Sequence, residues 1–279
     1  MTDNRYSIVV IFDCTNGNPN GDPAKGSDVR INPYTGCGVV TNQCTKRHIR
    51  DTINTLFGDE LYIKHNTNLS KAQDAFTKAT FGKTMKACGK TPEDKAAVVH
   101  ALCEKFIVVR LFGAVVTQIA QKIQGPVQVT DATSIDPVRP MTMSITCCAG
   151  AGDGDDDKDR TKNMGSRSLI PYGLYEFHID ITPTACRNTD YTEEDLQKLF
   201  CAIEHMYDLH KTATSGEQVL RKFVIFKHSL KYGDQPCHQL YDAVKVKKLC
   251  EGMPLSFADY EISIDRDAVD DTIEIIERV

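Results

Sequence analysis

The chain has 279 residues, enough for one elaborated domain or two, with 33 Lys and Arg against 38 Asp and Glu and a net charge of −5. It begins without a signal-peptide pattern and has no apolar run near the ~18 residues that a membrane span needs, so we expect a cytoplasmic protein. Eleven cysteines are present without any CxxC spacing, which predicts reduced thiols and excludes a small disulfide-stapled scaffold.

The charge is unevenly distributed along the chain. Residues 153–159 carry a net charge of −4 and residues 259–279 one of −6, so the remainder has a net charge of +5. Residues 25–50 alone carry +4. Because local basic surface decides contact with an anionic polymer, the overall acidity does not exclude a nucleic-acid-binding groove.

The segment 6–50 predicts a buried strand, a long loop and a helix. Ile8–Phe12 is a continuous β-branched and aromatic run, typical of a buried strand. Asn16–Pro23, with the sequence NGNPNGDP, combines residues that tolerate positive φ with prolines that fix φ, which indicates a shaped loop. Such a loop, joined to a basic helix, is suited to holding an anionic polymer.

The helix after this loop has a basic flank. Thr41 is the expected N-cap, and Ile49, Ile53 and Leu56 form an apolar face. One flank of that face carries four polar side chains, Gln43, Lys46, Arg47 and Arg50. A solvated helix surface would explain the same pattern, but the adjoining loop favours contact with phosphates.

The middle of the chain predicts a helical insertion followed by strands. Residues 58–105 are polar and helical in character. Phe106–Phe112 is predicted to be a strand because it is apolar and β-branched, and further strands are expected at 125–129 and 141–148. Residues 149–162, rich in Gly and Asp, are expected to be mobile, and they lack the twelfth-position ligand of an EF-hand loop.

The second half repeats the pattern of strand and helix. Leu169–Thr182 alternates apolar and polar residues, Thr192 is the expected N-cap of an amphipathic helix, and Phe223–Phe226 is a buried strand. The element order is strand, helix, insertion, strand, strand, helix, strand. It predicts an α+β fold with a ferredoxin-like, RRM-type core.

The cysteines and histidines do not show the spacing of a zinc site. His205 and His210 are five residues apart, and we find no matching cysteine or carboxylate frame for them, so they are interpreted as ordinary helix residues. We therefore expect neither a bound metal nor a cofactor.

Eight short motifs occur in an order that matches one known family. They are Asn16–Pro23, Thr35–Thr41, Lys46–Arg50, Phe112–Val115, Gly125–Gln128, Ser134–Pro137, Pro171–Tyr175 and Ile225–His228. Together they resemble the backbone subunit of type I CRISPR Cascade complexes, a branch of the RAMP superfamily, in its subtype I-C or a close relative. The resemblance spans roughly residues 5–248.

The resemblance implies one hand-shaped domain. Its expected parts are an RRM-like palm at about 5–57, 106–135 and 168–248, a helical finger insertion at 58–105, a thumb loop at about 139–167, and an acidic C-terminal segment at 252–279 that lies outside the resemblance.

The resemblance also implies a non-catalytic function. Copies of such a subunit stack along a guide RNA in the prokaryotic cytoplasm, contact other Cascade subunits, and present the guide for pairing with a target DNA strand. The thumb displaces one base at regular intervals, with Met141, Met143 and Met164 as candidate wedges. The full set of implied RNA-binding residues is Asn18, Asn20, Arg30, Thr41, Gln43, Lys46, Arg47, Arg50, Arg139, Met141, Met143, Arg160, Lys162, Met164 and Arg167.

Two alternatives remain open at this point. One is a metal-dependent endoribonuclease, like the related backbone subunits of type III complexes, which use a loop aspartate; Asp22 and Asp28 lie in the comparable region. The Gly21-Asp22-Pro23 context is explained more simply by a turn. The other is an RRM-like protein of unrelated use, which sequencing of the bound RNA would separate.

Overall fold

The computed structural model describes residues 4–64, 66–146, 164–186 and 189–279. Within these ranges the helices are α1 (Asn42–Phe57), α2 (Leu69–Phe81), α3 (Met85–Cys88), α4 (Pro92–Lys105), α5 (Ile107–Phe112), α6 (Glu193–Leu209) and α7 (Cys237–Ala243). None of these described helices has both the length and the apolar character that a bilayer crossing requires.

The strands of the described ranges lie in one large sheet and three two-stranded ribbons. They are β1 (Tyr6–Gly17), β2 (Gly21–Asp22), β3 (Asp28–Val29), β4 (Cys37–Val40), β5 (Gly113–Val116), β6 (Gln121–Gln124), β7 (Val127–Val129), β8 (Ala132–Pro137), β9 (Met141–Thr146), β10 (Met164–Ile181), β11 (Glu217–Lys227), β12 (Val244–Lys248), β13 (Tyr260–Ile264) and β14 (Glu274–Glu277). The ribbons are β2 with β3, β5 with β6, and β12 with β13.

The large sheet is built around β1. Its strand order is β14-β11-β1-β10-β8-β4, and β7 and β9 also pair with β10. β1 is antiparallel to both neighbours, with Tyr6 opposite Ile181 of β10 and Lys227 of β11. The predicted strands at Ile8–Phe12, 169–182 and Phe223–Phe226 are confirmed within β1, β10 and β11.

Strand alternation separates two hydrophobic layers on β1. Ile8, Val10 and Phe12 pack with the apolar faces of α1 and α6 on one side of the sheet. Val9 and Ile11 face the other side, into a second cluster. A one-residue shift of register would exchange the two sets, so both layers fix the pairing of β1.

The two long helices begin where their caps predict. The Thr41 side chain accepts the backbone N–H of Cys44 at the start of α1. At α6, Thr192 and Asp195 form a reciprocal capping box, and three acidic residues occupy the first turn, where they complement the helix dipole. Both predicted N-caps are confirmed.

The C-terminal segment covers the second face of the sheet. Leu240 of α7, Tyr260 of β13 and Val269 are buried against β1, β10 and β11. β14 extends the sheet beside β11, and its Glu277 pairs with Lys222 at 2.5 Å. The acidic segment beyond 252 is therefore part of the folded domain through its apolar residues, while its acidic side chains lie at the surface, and the sequence motifs gave no sign of this.

The insertion is helical as predicted, with α2, α3 and α4 between α1 and α5. The prediction of a strand at Phe106–Phe112 is wrong, since Ile107–Phe112 forms α5. Ile107, Val108, Val109 and Leu111 are all buried, and Arg110 is the only charged residue of this short helix. A helix buried on nearly all sides has no 3.6-residue pattern and cannot be told from a buried strand by periodicity.

The predicted strand at 141–148 is confirmed as far as Thr146, and Cys147 and Cys148 lie outside the described residues. β9 forms an antiparallel hairpin with the first part of β10, with Met141 opposite Leu169 and Met164 opposite Thr146. This pairing explains why β10 begins at Met164, before the predicted strand.

Candidate nucleic-acid interface

The loop between β1 and α1 is shaped by its own asparagines. The Asn18 Nδ2 donates to the carbonyl of Ser27 at 2.8 Å. The Asn20 Oδ1 accepts both the backbone N–H and the hydroxyl of Thr41, at 3.0 Å each. Asn18, Asn20 and Thr41 were expected to contact RNA, and here they connect the loop to its base and to the start of α1.

A turn at 23–28 forms the exposed tip of this loop. Asp22 accepts the backbone N–H of Ala24 at 3.2 Å and faces Arg30 at 3.7 Å. Asp22 therefore has the turn role that its Gly-Asp-Pro context indicates. Asp28, the second aspartate of the ribonuclease alternative, is exposed on β3 opposite Asp22.

Two cations on α1 share one aromatic neighbour. The Lys46 Nζ lies 5.8 Å from the ring centre of Phe112, and the Arg50 guanidinium carbon lies 5.4 Å from it. Among the described residues neither forms an ion pair. Burial and the neighbouring Arg50 lower the pKa of Lys46, while burial and then Arg47 lower the pKa of Arg50. Two half-buried, unpaired cations form a site that an anion would stabilise.

The other members of the basic flank differ from these two. Arg47 binds the carboxylate of Asp51 through Nε at 2.7 Å and donates a further bond to the carbonyl of Ile63 at 3.0 Å. Arg47 thus connects α1 to the insertion and has little capacity left for a phosphate. Gln43 is exposed in the first turn of α1.

His48 adds no charge to this flank. Its ring stacks on that of His210, just after α6, with 5.3 Å between ring centres, and burial, followed by His210, lowers the pKa of His48 to about 4. His210 in turn lies 3.0 Å from the Thr52 hydroxyl. The interpretation of His210 as an ordinary helix residue is wrong, because α6 ends at Leu209 and His210 is its non-helical C-cap.

The amino end of α1 is occupied by an aspartate. Asp131, in the turn before β8, accepts the backbone N–H of Asn42 at 2.7 Å. This carboxylate takes the place where a helix N-terminus would otherwise attract a phosphate. The positive potential of α1 is therefore available on its flank, at Lys46 and Arg50, and not at its end.

The hairpin of β9 and β10 presents an apolar stripe. Met141, Met143 and Ile145 of β9 are 44%, 49% and 48% exposed and lie on one side of the strand. Gly165 pairs with Ile145 across the hairpin, so the position opposite Ile145 carries no side chain. The sequence did not point to Ile145, although its i+2 spacing from Met143 was a usable signal.

The cations near this hairpin have different environments. Arg139 is exposed just before β9. Arg167 donates to the backbone carbonyls of Asn16, Ala213 and Thr214, which ties the hairpin to the ends of β1 and β11. Met164 opens β10, while Arg160, Lys162 and the stretch predicted to be mobile at 149–162 lie outside the described residues.

Comparison with known proteins decides the family. A family model described as "CRISPR-associated protein Cas7" matches residues 4–265. This chain belongs to the Cas7 family. A Cas7 protein of Haloferax volcanii is 24% identical to it over 220 residues, which cover 70% of this chain and 62% of that protein. The chain thus matches somewhat less than two thirds of its relative's length.

Two solved structures share the fold. A chain of a "CRISPR RNA-guided surveillance complex, pre-nicking" has a TM-score of 0.51 and 15% identity, covering 80% of this chain and 75% of that one. A chain of a "CRISPR RNA-guided surveillance complex" has a TM-score of 0.50 and 13% identity, covering 83% and 71%. The expected α+β architecture with a central antiparallel sheet is therefore confirmed at the level of the Cas7 fold.

One cluster of metal-ligating side chains occurs in the described part of this Cas7 protein. Ligand atoms of Cys201, Glu204 and His205 on α6 lie within 4.8 Å of one another. The expectation that His205 has no cysteine or carboxylate near it is wrong, because both stand within one helical turn. Glu204 is already bound by Arg278, and the His205 Nδ1 lies 2.9 Å from the carbonyl of Cys201.

We expect the purified protein to contain no stoichiometric zinc. The cluster offers three ligands from a single helix, fewer than the four of a structural zinc site, and the Arg278 guanidinium opposes a divalent cation at Glu204. Elemental analysis of the native protein checks this. One zinc per chain that disappears in a Cys201→Ala variant would contradict it.

Proposed function

We propose that this protein is a non-catalytic, guide-RNA-binding backbone subunit of a type I Cascade complex, of subtype I-C or a close relative. Copies of it would oligomerise along the RNA, contact the other Cascade subunits, and hold the guide for pairing with target DNA. Membership in the Cas7 family and the fold shared with chains of RNA-guided surveillance complexes support this proposal.

The topology supports an RRM-like palm. β11, β1, β10 and β8 are neighbours in that order, and α1 and α6 pack on one face. This is the arrangement of a split βαβ core, with the α2–α4 insertion as the fingers and the β9–β10 hairpin as the base of the thumb. The opposite face, on which RRM proteins stack bases, is covered by α7 and β13. RNA would therefore run along the loops and the α1 flank.

The pair Lys46 and Arg50 is the observation that carries RNA binding. Both cations are partly desolvated beside Phe112, and the nearby carboxylate of Asp51, which partly offsets the lowering of the pKa of Arg50, is bound by Arg47. A phosphate between them would restore the charge balance and would reverse the burial effect on their pKa values. Such contacts position a strand without reading its bases, as a subunit that serves many guides requires.

The apolar stripe on the thumb hairpin supports base displacement. Met141, Met143 and Ile145 expose apolar surface, whose contact with water is unfavourable. An unstacked base that packs on this surface would remove both the side chains and its own ring from water. We propose these three as the wedge of the thumb. Arg167, which is bound to backbone carbonyls, would hold the hairpin at its base.

Assembly along RNA gives a direct test. A palm and a projecting thumb are different surfaces, so their contact between copies is heterologous and produces an open helix. We expect the mass in solution to rise in steps of one 31.1 kDa subunit plus a constant RNA increment as the RNA is lengthened. Mass photometry or light scattering with a series of RNA lengths measures this.

The same preparation discriminates the alternatives. Intact RNA after incubation with Mg²⁺ or Mn²⁺ is expected, whereas metal-dependent cleavage would favour the ribonuclease hypothesis. Sequencing of RNA that co-purifies with the protein should yield short species with a constant repeat-derived end. A constant monomer or dimer at every RNA length would overturn the proposed function.

A further inference from the structure

Tyr34 is the most exposed large hydrophobic side chain in the described part of the chain. It is 96% exposed, at the tip of the connection between β3 and β4. A ring of this size normally buries a large area in a core or an interface. Tyr34 contributes nothing to the packing of its own chain, so its ring is free to meet a partner.

The turn that carries Tyr34 is well ordered by hydrogen bonds. The Tyr34 N–H donates to the Asn32 Oδ1 at 3.0 Å, and the Gly36 N–H donates to the Asn32 carbonyl at 2.8 Å. The backbone N–H of Asn32 donates to the carbonyl of Cys37 at 2.9 Å, and Gly36 adopts a left-handed conformation with φ of 74°. Because these hydrogen bonds already fix the backbone of the turn, binding of a ligand to the Tyr34 ring would cost little backbone entropy.

The turn lies at the end of the sheet that carries the candidate interface. Cys37 pairs with Pro137 at the end of β8, and the Val138 N–H donates to the Gly36 carbonyl at 3.0 Å. The exposed Arg139 and the thumb hairpin follow at once in the chain. The strand registers place Pro137 level with the last residues of β1, from which the loop to α1 departs.

The surroundings of Tyr34 favour a stacking contact over a protein interface. Its neighbours in the turn, Asn32, Pro33 and Thr35, add little apolar area. A protein hot spot needs a surrounding zone of packed residues that excludes water, whereas base stacking needs one accessible ring. Base–aromatic stacking is also tolerant of sequence, as a guide-binding subunit requires.

We propose that Tyr34 is a stacking platform for one unpaired base of the bound nucleic-acid strand, an inference that rests on the RNA binding proposed above. Lys46 and Arg50 would hold phosphates, and Tyr34 would hold a base near the root of the thumb. The occupant is a nucleobase, which could come from the guide RNA or from a second strand paired to it.

A tryptophan substitution tests this directly because the natural chain contains no tryptophan. In Tyr34→Trp the only indole would stand at the tip of the turn. We expect its fluorescence to be quenched when single-stranded RNA is added, because a base stacks on the ring. Quenching that appears only after a complementary DNA strand is added also supports a stacked base and assigns it to the second strand.

Tyr232→Trp is the matched control. Tyr232 is 71% exposed in the turn after β11, level with the first residues of β1 and therefore at the opposite end of the sheet. Its indole is expected to keep its emission when RNA binds. Unchanged emission at position 34, or a blue shift without quenching as copies associate, would overturn the proposal; the second result would assign the ring to a protein contact.

Affinity measurements separate stacking from general apolar contact. Tyr34→Phe should bind RNA like the natural protein, whereas Tyr34→Leu and Tyr34→Ala should both bind roughly five- to 150-fold more weakly. Equal binding by the leucine variant and the natural protein would contradict stacking. The Tm should be the same for the natural protein and for all of these variants, because the Tyr34 side chain has almost no contacts to lose.

The two proposals fail in different ways. If the natural protein shows no RNA binding by fluorescence anisotropy of labelled RNA, the proposed function fails. If labelled RNA binds with normal affinity to Tyr34→Trp while the indole emission and the alanine variant's affinity are unchanged, only the stacking proposal fails.

Discussion

Replacing Lys46 and Arg50 together by alanine is expected to weaken the binding of every RNA sequence by at least about a hundredfold at low salt. A hydrogen bond to a charged group contributes roughly 1.5–3 kcal/mol, and the variant loses two such groups at once. Because both are proposed to contact phosphates and not bases, the loss should be the same for unrelated sequences. Anisotropy titrations with several RNAs of equal length measure it.

The salt dependence gives a second signature of the same variant. Each phosphate contact on a single strand contributes about 0.7 to the slope of log K against log salt. The double variant should therefore have a slope lower by roughly 1.4. An unchanged slope would show that this flank of α1 is only a solvated helix surface.

Two controls isolate the effect. Lys231→Ala combined with Lys245→Ala removes the same charge from exposed positions outside the candidate interface and should leave affinity nearly unchanged. Arg47→Ala should show the opposite signature. Since Arg47 binds Asp51 and the carbonyl of Ile63, its loss should lower thermal stability more than the salt slope.

The parts of the fold with local signals could be predicted from the sequence. Thr41 and Thr192 mark helix starts through side chains that satisfy nearby N–H groups, and the alternation around Tyr175 marks β10. The helix α5 could not be recognised, because Ile107–Leu111 is buried on nearly every side and its secondary structure depends on packing from distant segments.

The candidate site shows the same difference between features with a local sequence signal and features that depend on the tertiary fold. Residue type and spacing selected Lys46, Arg47 and Arg50 as one set, but only the fold shows that Arg47 has Asp51 and Ile63 as partners. Tyr34 gave no pattern in the sequence, because its exposure results from hydrogen bonds within the turn and from the pairing of β4 with β8. The sequence shows which side chains are present, while the tertiary fold decides which of them have a partner within the chain.

The packing of the helical insertion against α6 is expected to depend on Arg110. This residue of α5 binds both carboxylate oxygens of Asp195, at 2.9 and 2.7 Å, and also donates to the carbonyls of Cys103 and Glu104 at the end of α4. Asp195 is buried and belongs to the capping box of α6. One guanidinium thus joins the end of α4, α5 and α6.

Arg110→Ala is therefore expected to destabilise the protein by about 2–4 kcal/mol, because it leaves a buried carboxylate without its counter-ion. For a chain of this length that corresponds to a fall in Tm of roughly 3–7 °C. Arg110→Lys keeps the charge but loses the bidentate contact with the carboxylate. Its Tm should therefore lie between those of the natural protein and Arg110→Ala. Differential scanning calorimetry measures the series.

An exposed pair in the insertion provides the comparison. Lys64→Ala removes a partner of Glu60, and both side chains of that pair are about half exposed, so its cost should stay below about 1 kcal/mol. A loss of stability that is equal for Arg110→Ala and Lys64→Ala would mean that the Arg110–Asp195 contact does not hold the helical insertion against α6.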